Sequence, residues 1–319
     1  MVCQTFTGRP AKANRKAVVE KSHRPRARSF LFSPRVPSRD PVSLSLNSAE
    51  TMRFRGWLRA PWDYFAMATG LLYWGVFGGL LTLIGGPLDL ILPRPAGRRL
   101  GRFLLHQLFR CFVVYLRATD LVRADLSALE RLEKSGGRFI VAPNHASLWD
   151  VMFIIARLPQ AVCVMKQSIL RNPVLGGGAR LAGYIPNDGM TRMIRHASAA
   201  LAGGGQLLLF PEGTRTKPDA RWINPLKGGC AIIASRTHLP VYPVFIRSNS
   251  RFVQKGWPLW KHPNFPITLR IDVGAPLLSQ PSESPQSFTG RLEAAFELEL
   301  SKPHPLRRQI DAVPNSDAS

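Results

Sequence analysis

The alternation of apolar and polar positions divides the chain into three textures. From Phe65 to Gly86 there are 22 residues without a formal charge, and about 20 apolar residues in a helix suffice to cross a hydrocarbon core about 30 Å thick. The pattern predicts a bilayer-embedded segment. Gly78-Gly79 and Gly85-Gly86-Pro87, with Asp89 just beyond, weaken a straight helix because Gly and Pro are poor helix residues. Spanning and re-entrant forms therefore both stay open. Arg53, Arg55 and Arg59 precede the run, and Arg94, Arg98, Arg99 and Arg102 follow it. Such symmetric flanks give no orientation by the positive-inside rule and favour a hairpin dipping into one leaflet. Leu100 to Leu121 sets Phe103, Leu104, Leu108, Phe112 and Tyr115 against Arg102, Gln107, Arg110 and Arg117. This is an imperfect amphipathic helix, suited equally to a membrane interface and to the flank of a core.

Beyond residue 136, short apolar runs punctuated by Gly and Pro alternate with helical stretches. Arg138 to Ala142, Ala161 to Met165, Gln206 to Phe210, Val241 to Ile246 and Ile267 to Val273 read as strands. Thr191 to Ala202, Lys227 to Thr237 and Ser287 to Ser301 read as helices. Alternation of this kind predicts an α/β fold, a mainly parallel sheet flanked by helices, whose site lies at the carboxyl ends of the strands. The expected organisation is a basic tail over 1–51, a membrane-docking helical segment over 52–122, a catalytic domain over 123–301 and a mobile end over 302–319.

Charge changes this picture at the amino terminus. The chain carries 43 Lys and Arg against 20 Asp and Glu, a formal +23, which draws it to an anionic partner. Nucleic-acid binders rarely hold a long uncharged apolar run, so an anionic membrane surface is expected and nucleic acid is not. Residues 1–50 contain 10 basic residues and no sustained apolar periodicity. A disordered tail fits best, a transit-type presequence less well, and a translation start at Met52 would remove the question. Cys3, Cys111, Cys163 and Cys230 lie far apart with no CxxC pair; they are expected as reduced, mostly buried thiols, with neither a metal nor a disulfide framework.

Three places can carry chemistry. Asn144-His145-Ala146-Ser147-Leu148-Trp149-Asp150 follows a strand. An Asp five residues after a His can hold one ring nitrogen while the other takes a hydroxyl proton. The spacing alone is weak, since an isolated His near a strand end usually serves structure. There is no GxSxG elbow, so the attacking hydroxyl is expected to come from a substrate rather than the enzyme. Phe210-Pro211-Glu212-Gly213-Thr214-Arg215-Thr216 follows another strand. Its turn offers backbone N–H groups, and Arg215 a planar fork suited to phosphate, although an ordinary polar turn has the same composition. Lys166, after the strand Ala161 to Met165, is a second phosphate candidate.

Taken in order, Asn144 to Asp150, Gly183-Tyr184-Ile185-Pro186, Phe210 to Arg215 and Leu239-Pro240-Val241-Tyr242-Pro243-Val244 resemble the four blocks of the glycerolipid acyltransferase family, and lysophosphatidic acid acyltransferases of the bacterial type in particular. The likeness covers about residues 60 to 280. It implies a mixed, mainly parallel sheet, an amino-terminal helical element docked in the bilayer, and a site facing the cytoplasm from the inner membrane. The donor would be an acyl-CoA or acyl-acyl carrier protein thioester and the acceptor a lysophospholipid, with no metal and no further cofactor. His145 would deprotonate the acceptor hydroxyl and Asp150 orient the imidazole. Lys166, Glu212, Gly213, Thr214 and Arg215 would form the head-group site, with Glu212 ordering the loop and its cations. Lys227-Gly228-Gly229 resembles a further family element, and the block around Pro240 and Pro243 suits either an acyl-donor pocket or a plain core strand.

One departure bears on the acceptor. The second block commonly ends Ile-Asp-Arg, whereas here the stretch is Asn187-Asp188-Gly189. Arg192, three residues on, would have to substitute, or the acceptor would be an amino-lipid such as lyso-ornithine lipid. An acyl-CoA hydrolase and a non-catalytic basic membrane-binding protein are the competing readings.

Overall fold

A computed structural model describes residues 59–306 apart from 175, 258–260 and 262. The expectations for residues 1–51, for Met52 and for Cys3 fall outside these residues.

Seven strands form one sheet in the order β1-β7-β6-β2-β5-β3-β4. They are β1 (Val122–Asp125), β2 (Ile140–Pro143), β3 (Ala161–Met165), β4 (Ile185–Pro186), β5 (Gln206–Leu208), β6 (Val241–Ser248) and β7 (Ile267–Val273). β6, β2, β5, β3 and β4 run parallel. β7 pairs antiparallel with β6 and parallel with β1, so the last two strands on that side are reversed. β2 and β5 are buried along their whole length, as expected for parallel strands covered on both faces. β7 instead buries Ile267, Leu269 and Ile271 and turns Thr268, Arg270 and Asp272 outward, the period-two pattern of a strand near the sheet's margin. β1 and β4 were not anticipated. One carries Arg123 and Asp125, the other has two residues, and neither offers an apolar run.

Nine helices lie before, between or after the strands among the described residues. They are α1 (Arg59–Ile91), α2 (Arg94–Ala118), α3 (Ser127–Ser135), α4 (Asp150–Ile155), α5 (Gln167–Leu170), α6 (Gly176–Leu181), α7 (Met190–Ala202), α8 (Gly229–Thr237) and α9 (Pro285–Leu300). α7 packs on α8 and α8 on α9, a layer that reaches β5 and β6, while α2 packs on α4, α6 and β1. α9 starts at a local signal: the Ser284 hydroxyl accepts from the Ser287 N–H and Pro285 occupies the first helical position.

The apolar run forms one helix, α1, which passes through the glycines expected to break it and contains a π-helical turn at Trp74–Gly78. The reversal comes at Leu92-Pro93, where Leu92 is extended, as a residue before proline prefers. The hairpin is therefore α1 with α2 rather than a fold-back inside 65–86. The glycines are contact points instead of breaks. A Cβ on Gly85 would lie 3.3 Å from the Gly177 backbone, and one on Gly177 would lie 2.5 Å from Thr82 Cα. Thr82 also donates to the Val174 carbonyl at 2.8 Å. At the other end Arg59 donates through Nη1 to Asp120 Oδ2 (3.0 Å) and through Nη2 to the Asp120 carbonyl (2.7 Å). α1 thus rests on the rest of the fold through a narrow seam and leaves Phe65, Leu72, Leu83 and Leu90 exposed.

α2 corrects the face drawn from its sequence. Arg102 is buried and Phe103 is 55% exposed. The inward stripe is Gly97, Gly101, Arg102, Leu105, Phe109, Phe112, Val113 and Leu116. Gly101 allows the backbone of Leu181-Ala182 to approach, and Arg102 Nε donates to the Ala182 carbonyl at 3.3 Å. Close backbone approach, not side-chain polarity, sets the helix rotation. Cys163 and Cys230 are buried free thiols, pushed up to about 12 by burial, whereas Cys111 is exposed.

Gly177→Ala is expected to lower the thermal unfolding midpoint, since a methyl there meets the Thr82 backbone and overpacking costs about 1–3 kcal/mol. Gly86→Ala, whose methyl would meet nothing within 4 Å, should be neutral or stabilising by up to about 1 kcal/mol. Parallel thermal melts of the two variants check both outcomes.

Candidate active site

The carboxyl ends of β2, β5 and β3 deliver the three loops that the sequence singled out. Pro143 ends β2, and the ladder to β6 is continued by the side chain of Asn144. Asn144 Nδ2 donates to the Ile246 carbonyl (3.1 Å) and Asn144 Oδ1 accepts from the Ile246 N–H (2.7 Å). An Asn amide carries one acceptor and donors in peptide-like geometry, so it stands in for a strand residue while the main chain turns away. That turn places His145 above the sheet edge.

His145 Nδ1 lies 3.1 Å from Asp150 Oδ2. A carboxylate can only accept, so Nδ1 carries the hydrogen and Nε2 is left with its lone pair outward. The imidazole is 15% exposed and Asp150 not at all. The same Asp150 oxygen accepts from the Ser147 N–H at 2.7 Å. Burial pushes the Asp150 carboxyl up from the usual carboxylate range, and the His145 contact followed by the Ser147 N–H opposes that push. The His145 ring stacks on Phe210 with centroids 4.0 Å apart, which fixes its plane. The Ser147 hydroxyl is turned elsewhere, donating to the Phe252 carbonyl at 3.3 Å and accepting from the Trp149 N–H at 3.2 Å.

Glu212 joins the β5 loop to the β2 loop. Its Oε1 accepts from the His145 N–H (2.8 Å) and its Oε2 from the Asn224 N–H (2.8 Å), and the Thr216 hydroxyl bonds both oxygens. The Thr216 N–H in turn donates to the His145 carbonyl at 2.7 Å. Glu212 is buried, and burial pushes its carboxyl up against these donors. It therefore orders the loop and offers little to a head group. Gly213 adopts φ +69°, in the left-handed region that favours glycine, and the Lys227 side chain lies where its Cβ would be, with Nζ 2.8 Å from that position. Arg215 Nη1 donates to the Val253 and Gln254 carbonyls at 2.8 and 3.0 Å, which holds the guanidinium beside the loop 251–257.

Lys166 sits exposed at the end of β3. β5 separates β3 from β2, so at about 4.8 Å per strand the two strand ends lie about 10 Å apart. Arg192 is exposed at the start of α7 and pairs with Asp188 at 2.8 Å, and among the described residues no hydrogen bond or ion pair joins it to the His145 loop. β6 with Pro243 is a core strand, Val241 and Val244 being fully buried. Asn224 escaped the sequence reading. It is buried, its Oδ1 accepts from the Lys217 N–H, and its Nδ2 donates to the Arg215 carbonyl. It follows the recognisable block by nine residues in a segment without periodicity, which left no signal beyond its polarity.

Glu212→Gln is expected to destabilise the fold by about 1–3 kcal/mol, because an amide NH₂ must face one of the donors that the carboxylate now accepts, leaving a buried group unsatisfied. Chemical denaturation of the variant beside wild type measures this.

Comparison with known proteins now adds identity to geometry. A sequence model of the acyltransferase family matches residues 123–247. A 1-acyl-sn-glycerol-3-phosphate acyltransferase of Pseudomonas aeruginosa is 22% identical, over 66% of this chain and 81% of its own length. That of Helicobacter pylori is 30% identical over 41% of this chain and 59% of its own. The chloroplastic enzyme of Brassica napus is 25% identical over 56% of this chain, and the match spans 51% of that relative's length. The crystal structure of the 1-acyl-sn-glycerophosphate acyltransferase PlsC from Thermotoga maritima superposes with a TM-score of 0.53, covering 77% of this chain and 96% of that one at 22% identity. The matched segment runs from β1 into β6 and so contains both loops that build the His145 site, and over it the chain is similar to acyltransferases of the PlsC type.

Proposed function

We propose that this protein transfers a fatty acyl group from a thioester, acyl-CoA or acyl-acyl carrier protein, to the free hydroxyl of lysophosphatidic acid, giving phosphatidic acid. The observation that carries this reading is the His145–Asp150 pair, buried on the carboxylate side and open at Nε2, at the carboxyl edge of a parallel sheet. The relatives named above carry that acceptor in their names.

The chemistry follows from which atoms are free. Nε2 removes the acceptor hydroxyl proton as the oxygen attacks the thioester carbonyl, and the imidazolium so formed is stabilised by the Asp150 carboxylate at 3.1 Å. Collapse of the tetrahedral intermediate breaks the C–S bond, and the departing thiolate takes the proton from Nε2. The Ser147 and Thr216 hydroxyls are engaged with the Phe252 carbonyl and with Glu212, which supports direct transfer over an acyl-enzyme. The acceptor phosphate would meet the unengaged N–H groups of Arg215, the turn at Gly213-Thr214, and Lys166 from the next loop.

A second reading has one observation in its favour. The block that usually supplies an Arg ends Asn187-Asp188-Gly189, and Arg192, its substitute, is held by Asp188. An acceptor without a glycerol phosphate, such as lyso-ornithine lipid, needs no cation there. The pair is exposed, and such pairs are worth about 0–1 kcal/mol, so a phosphate would open it readily.

The hairpin supplies the route to lipid acceptors. α1 is held to the domain from Arg59 at one end to Gly85 at the other, and a helix so fastened dips its exposed apolar face into one leaflet rather than carrying its end across. In a Cys111→Ser background and sealed vesicles, Arg94→Cys beyond the hairpin turn and Lys134→Cys on α3 should react with an impermeant thiol reagent from the same side. Labelling from opposite sides would establish a span.

Thiol release from a labelled acyl-CoA, with lysophosphatidic acid, lyso-ornithine lipid or no acceptor, tests the function. Wild type should release thiol only with acceptor, and His145→Ala should lose about 10²–10⁴-fold. Equal release without acceptor would make the protein a hydrolase, and turnover only with the amino-lipid would select the second reading.

A further inference from the structure

The helix that carries Asp150 is short, and its position depends on α2. α4 has six residues, about 9 Å of helix, too few to hold their own geometry without packing. α2 fastens it at both ends. At the amino end Trp149, the residue before Asp150, meets the edge of Phe112 at 6.1 Å and 90°, and that of Phe252 at 5.0 Å and 84°. At the carboxyl end His106 Nδ1 lies 2.8 Å from the Ile155 carbonyl. A carbonyl only accepts, so His106 donates from Nδ1. Ile155 is among the last turn's carbonyls, which have no partner within the helix. His106 and Phe112 are both on the second arm of the hairpin, and Phe112 also stacks on Tyr73 at 5.3 Å and 27° and meets Trp74 at 5.1 Å. Both of these belong to α1.

We propose that His106 and Phe112 are positioning residues for acyl transfer, fixing α4 so that Asp150 holds the His145 imidazole in its reactive orientation. This rests on the acyltransferase reading above. Neither side chain touches a substrate in this scheme. They act through Trp149 and the α4 backbone, and whatever displaces the hairpin displaces the carboxylate with it. The His145 ring is already confined by Phe210 on one face. A shift of Asp150 therefore changes the Nδ1 contact without releasing the ring, and displacements of about 1 Å in such arrangements cost on the order of 10²-fold in rate.

Steady-state kinetics on full-length protein in vesicles, with acyl-CoA and the acceptor that wild type uses, would test this with His106→Ala, His106→Asn and Phe112→Leu. An Asn side chain can place an N–H near the position of Nδ1, whereas Ala cannot, and Leu keeps apolar volume at 112 but removes the ring that Trp149 meets. The expected result is a fall in kcat of roughly tenfold to a hundredfold for His106→Ala and Phe112→Leu, with KM for both substrates within about twofold. His106→Asn should restore most of kcat. Unchanged kcat in the Ala and Leu variants would overturn the proposal, as would a loss that Asn does not relieve or one shared equally by KM. If His106→Ala does not fold, His106→Asn and Phe112→Leu decide the matter by the same split. Failure of wild type itself to transfer an acyl group would instead remove the acyltransferase reading on which the proposal stands.

Discussion

A carboxylate fully out of contact with water sits at the centre of this fold, and the arrangement around it follows from that burial. An ionised side chain placed in such surroundings costs several kcal/mol unless its lone pairs meet donors. Asp150 meets His145 Nδ1–H and the Ser147 N–H through Oδ2, while its Oδ1 is buried without a partner, so the burial is only half compensated. The first of these contacts fixes the tautomer of the imidazole and so decides which nitrogen keeps its lone pair. The second ties the carboxylate to the loop between the two residues, so the motif is a closed ring of contacts. Its chemistry and its stability have the same physical origin.

A second buried carboxylate performs a different task with the same physics. Glu212 is surrounded by donors from three segments, the His145 N–H, the Asn224 N–H and the Thr216 hydroxyl. It thereby registers the β2 and β5 loops against each other, and no oxygen is left for a ligand. The cations that remain at this edge, Lys166, Arg215 and Lys227, stand around the carboxylate-braced loops. A negatively charged head group would find complementary charge there and little competing carboxylate. The hairpin leaves apolar residues exposed on its outer face while its inner seam of Gly, Ala and Thr allows close approach to the domain.

Some parts of this structure were legible because they are local. β3 and β7 appear at the bounds that their apolar runs marked, Ala161–Met165 and Ile267–Val273. Ala161–Met165 displays a near-continuous apolar run, as a strand inside the sheet requires, and Ile267–Val273 displays the alternation of a strand with one buried face. The His145–Asp150 pairing was readable from its spacing together with the neighbouring blocks, since a loop that turns from strand to helix brings the two side chains within reach, while Glu212, Phe210 and α2, all distant in sequence, hold them there. The role of Glu212 as a loop organiser followed from charge, because a carboxylate is a poor neighbour for a phosphate.

Other parts depended on neighbours far away in sequence. Arg102 is buried and Phe103 exposed because Gly101 lets the Leu181-Ala182 backbone approach α2, and that contact sets the rotation of the helix. Gly85 lies inside a helix because the Gly177 backbone occupies the space where a side chain would be. β1 exists because β7 pairs with it, although its own residues alternate in charge. Asn144 and Asn224 serve as peptide surrogates and loop clamps, roles that a polar residue acquires only once its partners arrive: Ile246, 102 positions away, for the one, and Glu212 and Arg215, 12 and 9 positions away, for the other. The sequence by itself determined the sheet's core runs, the spacing of His145 and Asp150 and the apolar helix, because each is encoded in residues within a few positions of one another. Tertiary structure alone decided the helix rotations, the close backbone contacts of the glycines and the partner of each buried polar group, because those are set by which distant surfaces must exclude water together.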